Sequence, residues 1–362
     1  MDINSKVRLS PPKLRGYSYS LEETVKARNE NRLLCLRLDT NYNCNLQCAY
    51  CYSYLKHDSE NPLSMKIGDA KNIIDQASEL GLKSIVYLGG GEPTLYPNFW
   101  ELVEHMGKKD IIPVIFTNGL TMNDEYAKRL YDLGASIIVK FDGSEETQDK
   151  LTGEGTYKKI RSAMETLVKY GFNENRGDNV TRLGAAPCIC NVNYNEIPEM
   201  WRFLRKNFIF PDFERATSIG NATDSIAINE EQVQKLLETL RSVDENEFNF
   251  SWQTPYSAIP GHNCYIYLSG CHITADKFVA LCPEMPPVGN LSESSLKQIL
   301  TSEPFCSTRH IEKNIEGPCK DCDILLQCFG GCRSKAYYTH DSYLASDPFC
   351  PYIKELALSG KD

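Results

Sequence analysis

From residue 33 onward, short apolar runs alternate with amphipathic stripes. Leu33–Leu38, Ser84–Leu88, Ile112–Phe116, Ser136–Phe141, Arg182–Cys190 and Phe210–Ala216 read as strands, mostly short and apolar enough to be buried on both faces. Between them Asp69–Leu80, Phe99–Met106, Asn123–Leu133, Tyr157–Tyr170 and Asn195–Lys206 carry apolar residues at helical spacing, as in Ile73, Ile74, Ala77 and Leu80. Repeated strand–helix units imply parallel strands joined by right-handed crossovers. Six units fall short of the eight that close a full barrel. The expected fold class is therefore α/β, a partial (β/α)6 TIM-like barrel over residues 32–222. In such sheets function collects at the carboxyl ends of the strands.

The flanks read differently. Residues 1–31 are polar, with Pro11-Pro12 and a charged run around Glu22–Arg32, and predict an N-terminal extension, either a flexible lead or a small cap. Ile219-Gly220-Asn221-Ala222 marks the exit from the barrel. A connecting helix at Ile228–Val243 and an irregular aromatic stretch at Phe248–Pro260 fill a linker over 223–262. Residues 263–362 break into short strands, turns and cysteines, a small separate domain.

Composition narrows the class. A net charge of −9 does not favour a nucleic-acid or anionic-membrane partner. No apolar run reaches the ~18 residues of a membrane span, and the first residues lack the apolar core of a signal peptide, so a cytoplasmic location is expected. The unusual quantity is 15 cysteines. In such a compartment they point to metal ligation rather than disulfides.

Cys44, Cys48 and Cys51 crowd three thiols into one loop directly after the first strand. Structural zinc asks for four protein ligands, whereas a [4Fe–4S] cube on three cysteines keeps one iron open. Zinc completed by a distant residue is the competing assignment. The pattern C-x3-C-x-aromatic-C, with Tyr50 as the aromatic, resembles the signature of the radical S-adenosylmethionine (radical SAM) superfamily. That resemblance implies that the open iron binds S-adenosylmethionine, which is cleaved to a 5′-deoxyadenosyl radical that abstracts a substrate hydrogen. Gly90, Gly91, Glu92 and Pro93, at the end of the second strand, resemble the family's GGEP cofactor motif. By the same likeness Tyr50, Asn118 on the third strand and Lys140 on the fourth are cofactor-binding positions. Lys140 departs from the family, where a serine is common.

Cys319-x2-Cys322-x5-Cys328-x3-Cys332, followed by Cys350, resembles the SPASM domain of radical SAM maturases, such as anaerobic sulfatase-maturating enzymes and peptide maturases. Lys277 stands where that domain usually has glycine. The likeness implies two auxiliary [4Fe–4S] clusters, three in all. Cys264, Cys271, Cys282 and Cys332 would hold one, and Cys319, Cys322, Cys328 and Cys350 the other, both closed and suited to electron transfer. Zinc at these C-x2-C pairs is the alternative.

Cys188 and Cys190 share one strand face near the carboxyl end of the fifth strand. Facing inward, one would be a catalytic hydrogen-atom donor to a substrate radical; facing the core, both would be small buried hydrophobes. Cys35 reads as core, and Cys306 has no assigned role. The resemblance implies peptide or protein modification by oxidation, cross-linking or epimerisation. The alternative is oxidation or epimerisation of a small molecule such as a sugar or aminoglycoside. An external electron donor, flavodoxin- or ferredoxin-like, is the other partner implied.

Overall fold

In the computed structural model, which describes residues 9–53, 63–216, 220–223, 225–253, 263–350 and 352–353, the six strand–helix units build one parallel sheet. Its strands are β2 (Cys35–Leu38), β3 (Ser84–Tyr87), β4 (Ile112–Thr117), β5 (Ser136–Val139), β7 (Leu183–Ala185) and β9 (Phe210–Pro211), paired in that order. The start of the N-terminal extension, Ile219 at the barrel exit, the tail of the aromatic stretch before Pro260, Pro351 and the last nine residues lie outside the described residues.

The crossover helices are α2 (Ile67–Glu79), α3 (Phe99–Gly107), α4 (Asp124–Asp132), α6 (Thr156–Lys169) and α7 (Ile197–Lys206). Each buries one stripe: α2 buries Ala70, Ile73, Ile74 and Ala77. Leu36, Leu38, Ile85, Tyr87, Ile115 and Ile137 face these helices in the main core. The alternate positions Val86, Val114 and Ile138 pack inside the barrel with Leu14 and Phe210. The inner face also carries Cys35 and Arg37.

Three differences from the sequence reading bear on the site. The fifth and sixth strands are interrupted. β7 gives way to β8 (Cys188–Ile189) across Pro187, and β9 ends at Pro211 before β10 (Glu214–Arg215). Proline cannot donate to a ladder, and β8 and β10 pair with each other in a separate two-stranded sheet. Second, α5 (Glu145–Thr152), too polar to show a stripe, follows the fourth strand; Ser144 caps it. Third, the N-terminal extension is docked. Its strand β1 (Lys13–Leu14) pairs with β6 (Val180–Thr181). Its helix α1 (Leu21–Asn29) starts in a Ser20/Glu23 capping box and carries Arg28, whose Nη1 donates to Glu312 at 2.8 Å.

After α8 (Glu230–Glu247) the chain returns to the barrel. The short helix α9 (Ile266–Ser269) leads into β11 (Gly270–Ile273), which adds parallel to the free edge of β2; β12 (Phe278–Ala280) and β13 (Gly289–Asn290) follow antiparallel. The main sheet thus has nine strands, in the order β13-β12-β11-β2-β3-β4-β5-β7-β9. The sheet therefore crosses the boundary expected between residues 262 and 263. Among the described residues no helix is long and apolar enough to cross a membrane.

Candidate active site

The loop after β2 is fastened to the turn after β3 by main-chain hydrogen bonds. Gly91 N donates to Asn41 O at 2.9 Å, and Glu92 N to Asn43 O at 2.9 Å. The approach needs glycine: a Cβ on Gly91 would lie 2.2 Å from Asn43 O. Gly90 sits at φ +76°, in the left-handed region. Pro93 begins a single 3-10 turn with Glu92 as its cap.

Glu92 is buried and its carboxylate accepts from four groups: Thr94 N at 3.2 Å, Thr94 Oγ1 and Thr117 Oγ1 at 2.7 Å each, and Asn118 N at 2.8 Å. Burial pushes its pKa up against those hydrogen bonds. Asn118 Nδ2 donates onward to Asn45 Oδ1 in the cysteine loop at 2.7 Å. The second and third strand ends and the loop are thus one network, with Glu92 at its node.

The far side of the loop is held by other strand ends. Ala49 N donates to Leu151 O at 2.9 Å. Asn221 donates to Cys51 O through its backbone at 2.9 Å and to Cys48 O through its side chain at 3.0 Å. Gly220, at φ +69°, passes so close that a Cβ would stand 2.4 Å from Cys51 O. Burial pushes the Cys44 thiol up to about 11, and the Cys48 thiol further. Thiols in such a place bind as thiolates only when a cation compensates their charge. A three-thiol loop with pinned backbone fits an iron–sulfur cube. Among the described residues no group of three His, Cys, Asp or Glu side chains converges as a single ion would require; a cube instead spreads its ligands over separate corners.

Asp142, at the end of the fourth strand unit, is the second node. It is fully buried. Tyr50 Oη donates to its carboxylate, Cys188 N donates to Oδ1 at 2.8 Å, and Gln148 Nε2 to Oδ2 at 3.3 Å. Asn193 Nδ2 ties Asp142 O to Cys188 O at 2.9 and 3.0 Å, and its Oδ1 accepts from Cys190 N at 2.8 Å. Lys140 Nζ stands 5.1 Å from the Tyr50 ring centre. Burial opposes the Lys140 charge most strongly, but Asp142, Cys188, Glu214 and Cys48 together outweigh it and the ammonium is held above its usual pKa.

Cys188 and Cys190 are buried in a small cluster with Tyr50, Leu151 and Ala216, against which Cys48 and Ala49 pack. Burial pushes both thiols up, Cys188 the more strongly. They therefore sit beside the cysteine loop as S–H groups. Sequence reasoning assigned no role to Asp142 and missed Gln148, Asn193 and Asn221 as struts. Their only sequence signal is a polar residue one to ten positions beyond a strand end.

Of the C-terminal cysteines, Cys319, Cys322, Cys328 and Cys350 act on one another electrostatically. They lie around a turn fixed by Ser346 and by buried Arg333, whose Nη1 donates to Tyr343 O and Ala345 O at 3.2 and 2.6 Å. Cys332 acts on Cys282, and Cys264 on Cys332. Cys271 stands apart from that trio, buried in β11.

Residues 39–204 match the Radical SAM superfamily, and residues 264–323 match SPASM, an iron-sulfur cluster-binding domain. The chain is 25% identical over 327 residues to a tungsten-containing aldehyde ferredoxin oxidoreductase cofactor-modifying protein of Pyrococcus furiosus, covering 81% of this chain and 88% of that one. It is 25% identical over 335 residues to the mycofactocin maturase MftC of Mycolicibacterium smegmatis, covering 88% and 82%. A structure of native anSMEcpe with bound AdoMet and Cp18Cys peptide shares the fold, with TM-score 0.66, 20% identity and coverage of 89% and 95%.

Proposed function

Since the chain is a radical SAM enzyme with a C-terminal SPASM domain, we propose that it modifies a peptide or protein by hydrogen-atom abstraction at the rim built around Cys44, Cys48 and Cys51. Its cofactors are S-adenosylmethionine with a [4Fe–4S] cluster, and auxiliary iron–sulfur clusters. When bound, they supply a 5′-deoxyadenosyl radical. The observation that carries the reading is the lacing of the cysteine loop to Gly91, Glu92, Asn118 and Asn221, which holds the backbone bearing the three thiols on the rim.

In this reading Cys44, Cys48 and Cys51 hold the cofactor-binding cluster. Gly90, Gly91 and Pro93 shape the turn against which the cofactor lies. Glu92 works chiefly by fixing that turn and the Asn118 amide, since its carboxylate is already filled by four protein donors. Tyr50 packs as a wall whose hydroxyl is spent on Asp142, with Lys140 above it. Cys188 or Cys190 returns a hydrogen atom when the outcome is epimerisation. An external flavodoxin- or ferredoxin-like donor supplies the electron.

The peptide class is supported by the fold shared with anSMEcpe, whose structure holds a peptide, and by the maturase MftC. The small-molecule reading is favoured by one observation, the relative named for modifying a cofactor.

The test is anaerobic turnover of reconstituted full-length protein with dithionite. 5′-Deoxyadenosine is expected, and it should fall to background in Cys48→Ala. Peptides encoded beside the gene, incubated in D2O, should gain one deuterium if epimerised, with loss of the label in Cys188→Ala or Cys190→Ala. Turnover of glycosides or other metabolites with no mass change in any such peptide would defeat the peptide assignment.

A further inference from the structure

We propose that Cys264, Cys282 and Cys332 hold their auxiliary cluster with three thiolates only, leaving one iron open to an exchangeable oxygen, nitrogen or sulfur donor. The inference rests on the cluster-bearing reading above and changes one of its sites from a closed electron relay to a ligand-binding one.

The reason lies in strand register. β11 pairs with β2 so that Gly270 stands opposite Cys35, Cys271 opposite Leu36, His272 opposite Arg37 and Ile273 opposite Leu38. Directly paired residues project to one face, and neighbours along a strand project to opposite faces. Leu36 and Leu38 point into the layer shared with the helices, and Cys271 is buried in that same layer at 0% exposure. Cys35 and Arg37 point into the barrel, where they line with Cys264 a cavity of about 360 Å³. Cys264 and Cys271 are therefore on opposite faces of the sheet.

Cys282 belongs to the Cys264 side. β12 pairs His272 with Ala280, so Ala280, the last residue of that strand, shares the Arg37 face, and Cys282 follows it across a bend. The Arg37 guanidinium accordingly acts on both Cys264 and Cys282. The charges acting on Cys271 are instead Arg309 and Cys35. No rotamer carries a side chain through a paired strand, so Cys271 is a core residue where a fourth ligand was expected.

Cys35 does not replace it. Its sulfur takes hydrogen bonds from Ser84 and from the Val86 backbone, both on β3, the side of β2 away from β11. Its partner across the hairpin edge is Gly270, where a Cβ would stand 2.7 Å from Cys35 O and 2.8 Å from Ile266 O. The contrast with Cys319, Cys322, Cys328 and Cys350, four thiols that act on one another, is built into the sheet edge. A cube short of one thiolate binds a lone-pair donor at its fourth iron: a carboxylate, amine or thiolate of a substrate, or solvent.

The test uses full-length protein carrying Cys44→Ala, Cys48→Ala and Cys51→Ala, reconstituted anaerobically. It should hold about eight irons and eight sulfides per chain. Adding Cys271→Val, which fills the apolar space without a ligand atom, should leave both numbers unchanged; Cys271→Ala serves if valine impairs folding. Adding Cys282→Ala should remove half of each. Cyanide should shift the electron paramagnetic resonance signal of one reduced cluster in the background protein and of none in the Cys282→Ala protein. Loss of half the iron in a Cys271 variant with native circular dichroism would overturn the proposal, as would the same loss in Cys35→Ala or a signal that cyanide leaves unmoved. A background protein holding no iron would sink the cluster reading itself, and this inference with it.

Discussion

The loop of Cys44, Cys48 and Cys51 and the proposed set of Cys264, Cys282 and Cys332 are both cysteine constellations, but they are assembled differently. Cys44, Cys48 and Cys51 are neighbours in sequence, and the fold's task is to hold one loop still. It does so with main-chain and amide struts from separate strand ends, through Gly91, Asn118, Leu151 and Asn221. Cys264, Cys282 and Cys332 are distant in sequence, and the fold's task is to bring them to one face. The β11–β12 hairpin on the edge of β2 lies between Cys264 and Cys282 in the chain, while Cys332 comes from the cap of a later helix. A site of the first kind is sensitive to the space between backbones; a site of the second kind is sensitive to register.

The sharpest way to break this contrast is a double dissociation. Cys44→Ala should abolish 5′-deoxyadenosine formation and remove about four irons. Cys264→Ala should remove a similar amount of iron and leave reductive cleavage of S-adenosylmethionine in place. Parallel iron analysis and product chromatography would read both; cleavage lost equally in the two variants would show that the sites are not separable.

Backbone crowding should come next. Gly91→Ala and Gly220→Ala each place a methyl inside 2.5 Å of a loop carbonyl. Overpacking of this kind costs about 1–3 kcal/mol, and the strain falls on the cysteine loop. Selective loss of the radical-forming cluster is expected, with the auxiliary iron retained. Unchanged total iron in both variants would contradict the strut account.

A smaller effect is expected at the second node. Asp142→Asn keeps the shape but removes the charge that accepts from Tyr50, Cys188 and Gln148. Hydrogen bonds to a charged group are worth about 1.5–3 kcal/mol, so the unfolding midpoint should drop by that equivalent, and Tyr50→Phe should cost less. An Asn variant as stable as the parent would remove Asp142 from the rim's support.

The smallest expected effect is on the auxiliary side. Helix α1 packs against α9, which leads into β11. Ser20→Ala removes its capping box, at a cost of about 1 kcal/mol. Denaturant melts should show it, while the cluster loop's iron stays constant.

The sequence by itself determined the alternation of strands and helices, the loop of three cysteines and the Gly-Gly-Glu-Pro turn. These are local patterns: a buried strand, an amphipathic helix and a three-thiol loop are each written within about a dozen neighbouring residues. It also displayed further cysteines at metal-ligand spacing, since C-x2-C spacing is local too. Tertiary structure decided how Cys271 and Cys282 differ. Their spacing is compatible with a shared site, and only the pairing of Gly270 with Cys35 sends Cys271 to the helix side. It also decided the breaks at Pro187 and Pro211, which place Cys188 beside Asp142, and the docking of Gly220 and Asn221 against the cysteine loop. Facing and register are properties of pairs of strands far apart in the chain, and a one-residue shift reverses them. No single stretch of sequence carries that information.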